Sequence, residues 1–224
     1  MTQSNLEVVL PKPLSGLFKW VRIFFIIYIV SSAMYAFGCG LSLSIGSSMF
    51  GPEEPFSIGD GIEGVGAVTL ALSFIVCIVL FSVFSYRAVK NIHIFGENID
   101  TKPGWAVGWY FIPFANLWKP YGVMSDMWDG SHSNNDPDWD APKGMPFWWI
   151  CWIVSNIASN ASNRMGMRAG MLSDYASDVP LYKTTLYLDI FSAATGIIAA
   201  WVILGILRVI AEKQDIRMHA DAFD

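Results

Sequence analysis

Four long stretches of this sequence carry no charged side chain, or only one, and they constrain what the chain can fold into. Residues 23–50, 64–86 and 144–163 contain no Asp, Glu, Lys, Arg or His, and residues 184–207 contain only Asp189. A helix needs about 20 apolar residues to cross the hydrocarbon of a bilayer. The sequence therefore predicts an all-α integral membrane protein with four transmembrane helices. These spans are predicted at about residues 18–46, 64–88, 145–164 and 185–211.

Composition agrees with a membrane protein and argues against nucleic-acid binding. Hydrophobic residues make up 54% of the 224 residues and charged residues only 15%, compared with about 25% in soluble domains. The net charge is −5 and no long cluster of Lys and Arg occurs, so the basic surface that nucleic acids require is absent from the sequence. The length fits a single transmembrane domain over residues 1–224. The expected partners are membrane lipids and either a protein partner or further copies of the chain in the membrane.

The basic residues predict an orientation in the membrane. Lys and Arg cluster before the first predicted span, after the second and after the last, whereas residues 51–63 carry four acidic side chains and no basic one. Because cytoplasmic loops carry the excess of Lys and Arg, both termini are predicted in the cytoplasm and the acidic loop outside. Arg164, Arg168 and Lys183 disagree with this orientation, since they follow the third span.

A tryptophan-rich block separates the second and third predicted spans. Residues 103–118 are uncharged but short for a full span, and Pro113 and Pro120 would interrupt helical hydrogen bonding. Tryptophan favours the headgroup level of a bilayer. The sequence therefore predicts an interfacial or re-entrant element at residues 103–128 on the cytoplasmic side, followed by a cytoplasmic loop at residues 129–143. A fifth span is the alternative.

Two groups of residues are candidates for ligand binding. Asn residues at i, i+4 and i+7 near the end of the third span share one helical face, where they could bond to neighbouring helices or line a hydrophilic cavity. The Trp residues could form an anchoring belt or a groove for a lipid tail. The candidate ligand-binding residues are Trp105, Trp109, Trp118, Trp149, Asn156, Asn160 and Asn163.

Small residues recur at four-residue spacing on two of the predicted spans. Ser192, Gly196 and Ala200 form such a stripe on the fourth span, and Ala67 and Ala71 form a pair on the second. Small residues let helix backbones approach closely in a membrane. These five residues are therefore predicted to pack helices together, either within one chain or between chains.

Few residues suggest catalysis or metal binding. Asp189 is the one acid within a predicted span, where a carboxylate is either functional or placed at the interface and neutralised there by Lys183 or water. The acidic residues of the 129–143 loop do not have the spacing of an EF-hand. No metal site, cofactor or catalytic residue is predicted. An enzyme is not favoured, although catalytic partners distant in sequence leave that open.

Several sequence blocks resemble a known family. Tyr86, Arg87, Ala88 and Asn91 precede the block PGWAVGWYFIPFANLWKPY, which is followed by FWWICWIVSNI and, after the last span, by ILRVIAEKQDIR. Their order, from the first span to Arg217, resembles a bacterial membrane family catalogued as domain of unknown function 4328. The resemblance implies helical spans with the tryptophan-rich block between the second and third, and location in a bacterial cytoplasmic membrane. It implies no activity or ligand, so no functional residue is transferred.

Two functions are expected from these observations. The first is a non-enzymatic accessory, assembly or regulatory subunit of a larger membrane complex, or a homo-oligomer, because aromatic and small-residue surface is abundant and the sequence shows no catalytic constellation. The alternative is a membrane protein that binds or conducts a lipid or small ligand, using the tryptophan-rich block and the Asn-rich end of the third span.

Overall fold

The computed structural model describes residues 10–46, 56–132, 142, 144–171 and 175–220. Every regular element in this part of the chain is helical, which confirms the all-α prediction. The helices are α1 Ser15–Ile45, α2 Ile58–Ile94, α3 Trp105–Gly108, α4 Lys119–Ser131, α5 Met145–Met171 and α6 Tyr175–Ala220. Two 3₁₀ turns, Trp109–Phe111 and Ala115–Leu117, connect α3 to α4.

Three of the described helices are long and apolar enough to cross a membrane. They are α1, α2 and the Val179–Ala220 part of α6, whose most apolar stretches have mean hydropathies of 1.9, 2.7 and 2.3. These three helices indicate an integral membrane protein. The prediction of four such spans is wrong by this measure. The second half of α5 contains Ser, Asn and two Arg residues, which lower its hydropathy.

The helices extend well beyond the predicted spans. The last span was predicted at residues 185–211, whereas α6 continues to Ala220. Helix α4 ends at Ser131, so its last residues lie within the range predicted as the 129–143 loop. Most of that loop, residues 133–141 and 143, lies outside the described part of the chain.

The chain divides into two compact units. One unit comprises residues 1–20, 79–142 and 206–224, and we call it the hairpin unit. The other comprises residues 21–78 and 143–205, and we call it the bundle unit. A single transmembrane domain over the whole chain stays a prediction.

In the bundle unit, α1 packs closely against α2 in the opposite direction. Gly38 of α1 lies against the backbone of Glu63, and Gly66 of α2 lies against the backbone of Tyr35. A Cβ atom at Gly38 would come within 2.4 Å of the Glu63 nitrogen, so only glycine permits this approach. The contacting residues have increasing numbers on one helix and decreasing numbers on the other, so the two helices are antiparallel.

Helix α6 runs antiparallel to both α1 and α5. Gly196 of α6 lies beside the Tyr28 hydroxyl of α1 and Ser155 of α5. Ser155 Oγ donates to the Ser192 carbonyl at 2.9 Å, and Ser192 Oγ donates back to the Ser155 carbonyl at 3.0 Å. Ser162 Oγ donates to the Thr185 carbonyl at 3.3 Å, a turn or two further along. These hydroxyl contacts hold α5 to α6 where apolar burial contributes little between helices in lipid.

The hairpin unit is held by buried amides. The Gln214 side chain is fully buried, donates to Ser131 Oγ at 2.9 Å and accepts from Asn91 Nδ2 at 3.0 Å. Asn91 also donates to the Lys12 carbonyl at 2.8 Å. At the start of α1 the Asp215 carboxylate accepts hydrogen bonds from the backbone N–H groups of residues 14 and 15, which satisfies two donors of that helix end.

Candidate functional site

A polar cleft lies at one end of the bundle unit, where α1 ends and α2 begins. Its volume is about 340 Å³. The lining residues come from α2, α5 and α6, and most of them carry a polar side chain. They are Glu63, Ser162, Asn163, Gly166, Met167, Tyr182, Thr185, Leu186 and Asp189. The sequence predicts this end of the bundle to face the outside of the cell.

Glu63 reaches the cleft from the first turns of α2. Its carboxylate accepts a hydrogen bond of 3.2 Å from Ser42 Oγ of α1, and Ser42 is itself fully buried. The neighbouring glycine contacts explain this position, because Gly38 and Gly59 let the ends of α1 and α2 meet without intervening side chains. The Glu63 side chain is therefore held at the helix interface and is only partly exposed.

Asp189 reaches the same cleft from α6. The hydroxyls of Tyr35 from α1 and Ser162 from α5 interact with its carboxylate. Glu63 and Asp189 line the same cleft, so their charges act on each other. Two acidic groups from different helices therefore share one partly enclosed space, and each is oriented by a hydroxyl from a neighbouring helix.

The described lining of the cleft carries acidic and no basic side chains. None of its nine described lining residues is Lys or Arg. Two carboxylates that repel each other at low dielectric are stabilised by a cation or a proton placed between them. Hydroxyl and amide groups of Tyr182, Asn163 and Thr185 add further hydrogen-bonding capacity. Within the described ranges, no three His, Cys, Asp or Glu residues are grouped so that they could hold a metal ion.

The structure brings only one of the predicted Asn residues into the cleft. Asn163 lines it. The Asn156 amide instead donates to the Trp152 carbonyl at 2.8 Å, and the Asn160 amide donates to the Asn156 carbonyl at 2.8 Å. Both amides therefore donate to the backbone of α5 itself. Neither forms a hydrogen bond to another helix within the described part of the chain.

The predicted tryptophans are divided between the two units. In the hairpin unit, Trp105 stacks on Trp109 with ring centroids 4.4 Å apart, and Lys119 Nζ lies 5.1 Å from the Trp109 ring. Trp118 is exposed. Trp149 belongs to the bundle unit, where it stacks on Trp152 at 4.8 Å. The seven predicted ligand-binding residues therefore do not form one described site.

The two sets of small residues occupy different environments. Gly196 and Ala200 are buried and Ser192 is partly buried, and the contacts of Gly196 and Ser192 lie inside the bundle unit. Ala67 and Ala71 are exposed on the outer face of α2. The α6 stripe is thus occupied by packing within the chain, whereas the α2 pair has no such contact.

Sequence reasoning identified Asp189 but missed Glu63, Tyr35 and Ser42. Glu63 was assigned to the acidic loop because it directly precedes the uncharged run of α2. Its position at the end of that run was a usable signal, since a carboxylate there lies at the edge of the hydrocarbon. The pairing with Asp189 could not be read from the sequence, because it depends on how α1, α2 and α6 pack.

Comparison with known proteins establishes the family. A family model described as domain of unknown function DUF4328 matches residues 53–212. The chain belongs to this family, which confirms the resemblance of the sequence blocks. The match begins after α1 and includes Glu63, Asp189 and the tryptophan-rich block. No curated protein and no solved structure matches the chain.

Proposed function

We propose that this integral membrane protein binds a small monovalent cation or protonated amine in the cleft of the bundle unit. This proposal rests on one observation, namely that Glu63 and Asp189, from two different helices, line the same cleft. This is the small-ligand alternative expected from the sequence, but located at the carboxylates instead of the tryptophans and the Asn row.

The proposal is supported by the way the two carboxylates are held. Ser42 donates a hydrogen bond to Glu63, and the Tyr35 and Ser162 hydroxyls interact with Asp189, so neighbouring helices position both carboxylates before any ligand arrives. The cost of keeping two like charges together in a partly buried site falls when a cation binds. A ligand that binds only the folded state raises the free energy of unfolding, by about 2.7 kcal/mol at 100 times its Kd.

Thermal unfolding of the detergent-solubilised chain tests this proposal. The probes are Na⁺, K⁺, NH₄⁺, methylammonium and choline as chloride salts at constant ionic strength, with N-methylglucamine as the balancing cation. We expect at least one probe to raise the Tm with a saturable concentration dependence. Glu63→Gln and Asp189→Asn should each remove that increase, because each leaves one carboxylate.

Asp100→Asn is the matched control, since Asp100 is an exposed acid of the hairpin unit. It should keep the full Tm response. Both cleft variants should be at least as stable as the unmodified chain without added cation, because each removes the repulsion and keeps a hydrogen-bond acceptor. The proposal fails if no probe changes the Tm, or if the increase persists in both cleft variants.

An accessory subunit or homo-oligomer stays a prediction. It was based on abundant aromatic and small-residue surface together with the lack of a catalytic constellation in the sequence, and contacts within the bundle unit occupy the small-residue stripe of α6. The exposed Ala67 and Ala71 face is the remaining surface of this type, and nothing in the described contacts favours a partner there over lipid.

We also propose that α5 crosses the membrane, although its composition is too polar to identify it as a span. The argument comes from helix directions in the bundle unit. Both α2 and α6 run antiparallel to α1, so they cross in the same direction. The chain between them must return, and α5 lies antiparallel along α6 for much of its length. Both termini would then lie on one side, which the basic residues place in the cytoplasm.

A further inference from the structure

The tryptophan-rich segment between α2 and α4 runs back along α2, from the end of that helix toward its middle, and then turns around. This first arm, which we call the descending arm, begins near His93, because His93 Nε2 lies 2.9 Å from the Thr101 carbonyl oxygen. Further along, the Tyr110 ring meets the Phe81 ring edge-on, with centroids 5.6 Å apart. Phe81 and His93 are twelve residues apart on α2, which corresponds to about 18 Å at 1.5 Å per residue.

The returning arm reaches the starting level again. Gly130, near the end of α4, lies so close to Ile92 that a Cβ atom would come within 2.5 Å of its side chain. The two arms are joined at this base by Asp126, whose carboxylate accepts hydrogen bonds from the backbone and hydroxyl of Thr101. The segment is therefore a hairpin with its base at His93 and its descending arm reaching the level of Phe81.

The level of Phe81 lies inside the apolar part of α2. Residues 64–86 carry no charge, and Arg87 is the first charged residue after them. Phe81 precedes Arg87 by six residues, or about 9 Å along the helix axis. Lys102 is exposed at the base of the hairpin, where an ammonium group favours the headgroup region. Lys119 follows the tip, with its Nζ 5.1 Å from the Trp109 ring, and its long side chain allows the ammonium group to extend toward the headgroups.

Four consecutive backbone N–H groups at the tip of the hairpin, those of residues 115–118, are satisfied within the tip. The N–H groups of Ala115 and Asn116 donate to the carbonyls of Pro113 and Ile112 at 2.9 and 3.0 Å. The next two N–H groups, of residues 117 and 118, donate to the carbonyls of residues 114 and 115 at 2.9 and 3.2 Å. Pro113 has no N–H group. Unsatisfied backbone groups are costly in hydrocarbon, where irregular backbone is otherwise found only against protein or water. The bonds within the tip lower this cost.

The exposed side chains at the tip are all apolar, whereas Asn116 is partly buried. Phe114 is 77% exposed and has a φ of +66°, which forms a tight γ-turn at the extreme of the hairpin. Phe111 is 69% exposed and Trp118 is 57% exposed. This surface continues the apolar face of α2, on which Val79 and Val83 are also exposed.

We propose that residues 103–118 form a re-entrant hairpin whose tip, residues 111–118, is inserted in the hydrocarbon of the bilayer and contacts lipid chains. The occupant of this apolar surface is lipid, because the tip lies at the depth of the uncharged part of α2 and extends the same exposed face. The element is then neither confined to the headgroup region nor a fifth crossing.

Depth-dependent fluorescence quenching tests the proposal in the full chain. Cys39, Cys77 and Cys151 are buried and are first replaced by Ala, after which Phe114→Cys or Leu117→Cys is labelled with bimane. The labelled protein is placed in phosphatidylcholine–phosphatidylglycerol vesicles. We expect lipids brominated along their acyl chains to quench both labels, and aqueous iodide to quench them at least threefold less than a label at Asp100→Cys.

Two control sites fix the scale of this experiment. Val79→Cys lies on the exposed face of α2 within the uncharged run, and Asp100→Cys precedes the hairpin in an exposed position. The proposal is overturned if the tip labels respond to iodide as strongly as the Asp100 label. It is equally overturned if the tip labels are quenched only by lipids that carry the quencher in their headgroup. The same holds if iodide quenches them only from the side of the membrane opposite to the Asp100 label. Two tip sites are used so that a folding defect in one variant does not decide the result.

Discussion

At the residue scale, Gln214 is buried although the surrounding sequence predicts an exposed side chain. It lies in the polar segment AEKQDIR at the end of α6, which would be expected to face water. Its amide is instead fully buried and has partners on both ends. It donates to the Ala88 carbonyl at 3.2 Å and to Ser131 Oγ, and it accepts from Asn91. A buried amide with all these bonds fixes α2, α4 and α6 in one arrangement.

Replacing Gln214 should therefore destabilise the hairpin unit. Gln214→Leu has a similar volume but leaves buried partners on α2 and α4 without a hydrogen bond. We expect a loss of about 3 kcal/mol in the free energy of unfolding, since each unsatisfied buried group costs about 1–3 kcal/mol. The measurement is denaturant unfolding in detergent followed by tryptophan fluorescence.

Glu212→Ala is the control for this prediction, because it lies on the same turn of α6 and forms only an exposed pair with Arg208. Surface ion pairs contribute between zero and about 1 kcal/mol, so this variant should stay close to the unmodified protein. Equal effects of the two substitutions would contradict the assignment of Gln214 to a buried network.

At the scale of the elements, the sequence located the helices better than the faces by which they pack. Apolar runs are local signals, so α1, α2 and α6 were found within a few residues of their apolar segments. The close contact of α1 with α2 uses Gly38, Gly59 and Gly66, whereas sequence reasoning chose Ala67 and Ala71 on α2. Neighbouring positions on a helix differ by about 100° of rotation. A choice one residue away from Gly66 therefore points to the outside of the bundle.

The glycine contact can be tested within α2. Gly66→Ala would place a Cβ atom 2.7 Å from backbone atoms of Tyr35, which cannot move aside without separating the helices. We expect a loss of about 1–3 kcal/mol, as for other overpacked interfaces. Gly64→Ala, two residues earlier, has no neighbouring atom within 4 Å. It should be neutral or stabilising by up to about 1 kcal/mol, because Ala favours helix.

Unfolding in a mild series of sodium dodecyl sulfate concentrations would separate the two variants of α2. A similar loss of stability in both would mean that the glycines act through the helix itself and not through the contact with α1. The comparison also bears on the cleft, because the same contacts bring Glu63 toward Ser42. A displaced α2 should weaken cation binding in Gly66→Ala even where the protein still folds.

At the scale of the whole molecule, the proposed crossing by α5 sets the topology. Hydropathy identifies three spans, and an odd number of crossings would place the termini on opposite sides. The helix directions in the bundle unit support a return between α2 and α6, and the contacts with α6 supply partners for the Ser155 and Ser162 hydroxyls of α5. Composition could not reveal these contacts, because the Ser155 and Ser162 hydroxyls find their partners on α6.

Labelling of single cysteines in sealed vesicles tests this topology. In the cysteine-free background, Ser44→Cys, Arg168→Cys and His219→Cys are placed at the exposed ends of α1, α5 and α6. A membrane-impermeant maleimide should react with residues 44 and 168 from one side and with residue 219 only from the other. If α5 does not cross while α6 does, residue 219 would instead react from the same side as residue 44, and residue 168 only from the other side. Ser44 serves as the internal standard, because α1 is a span by length and hydropathy alone.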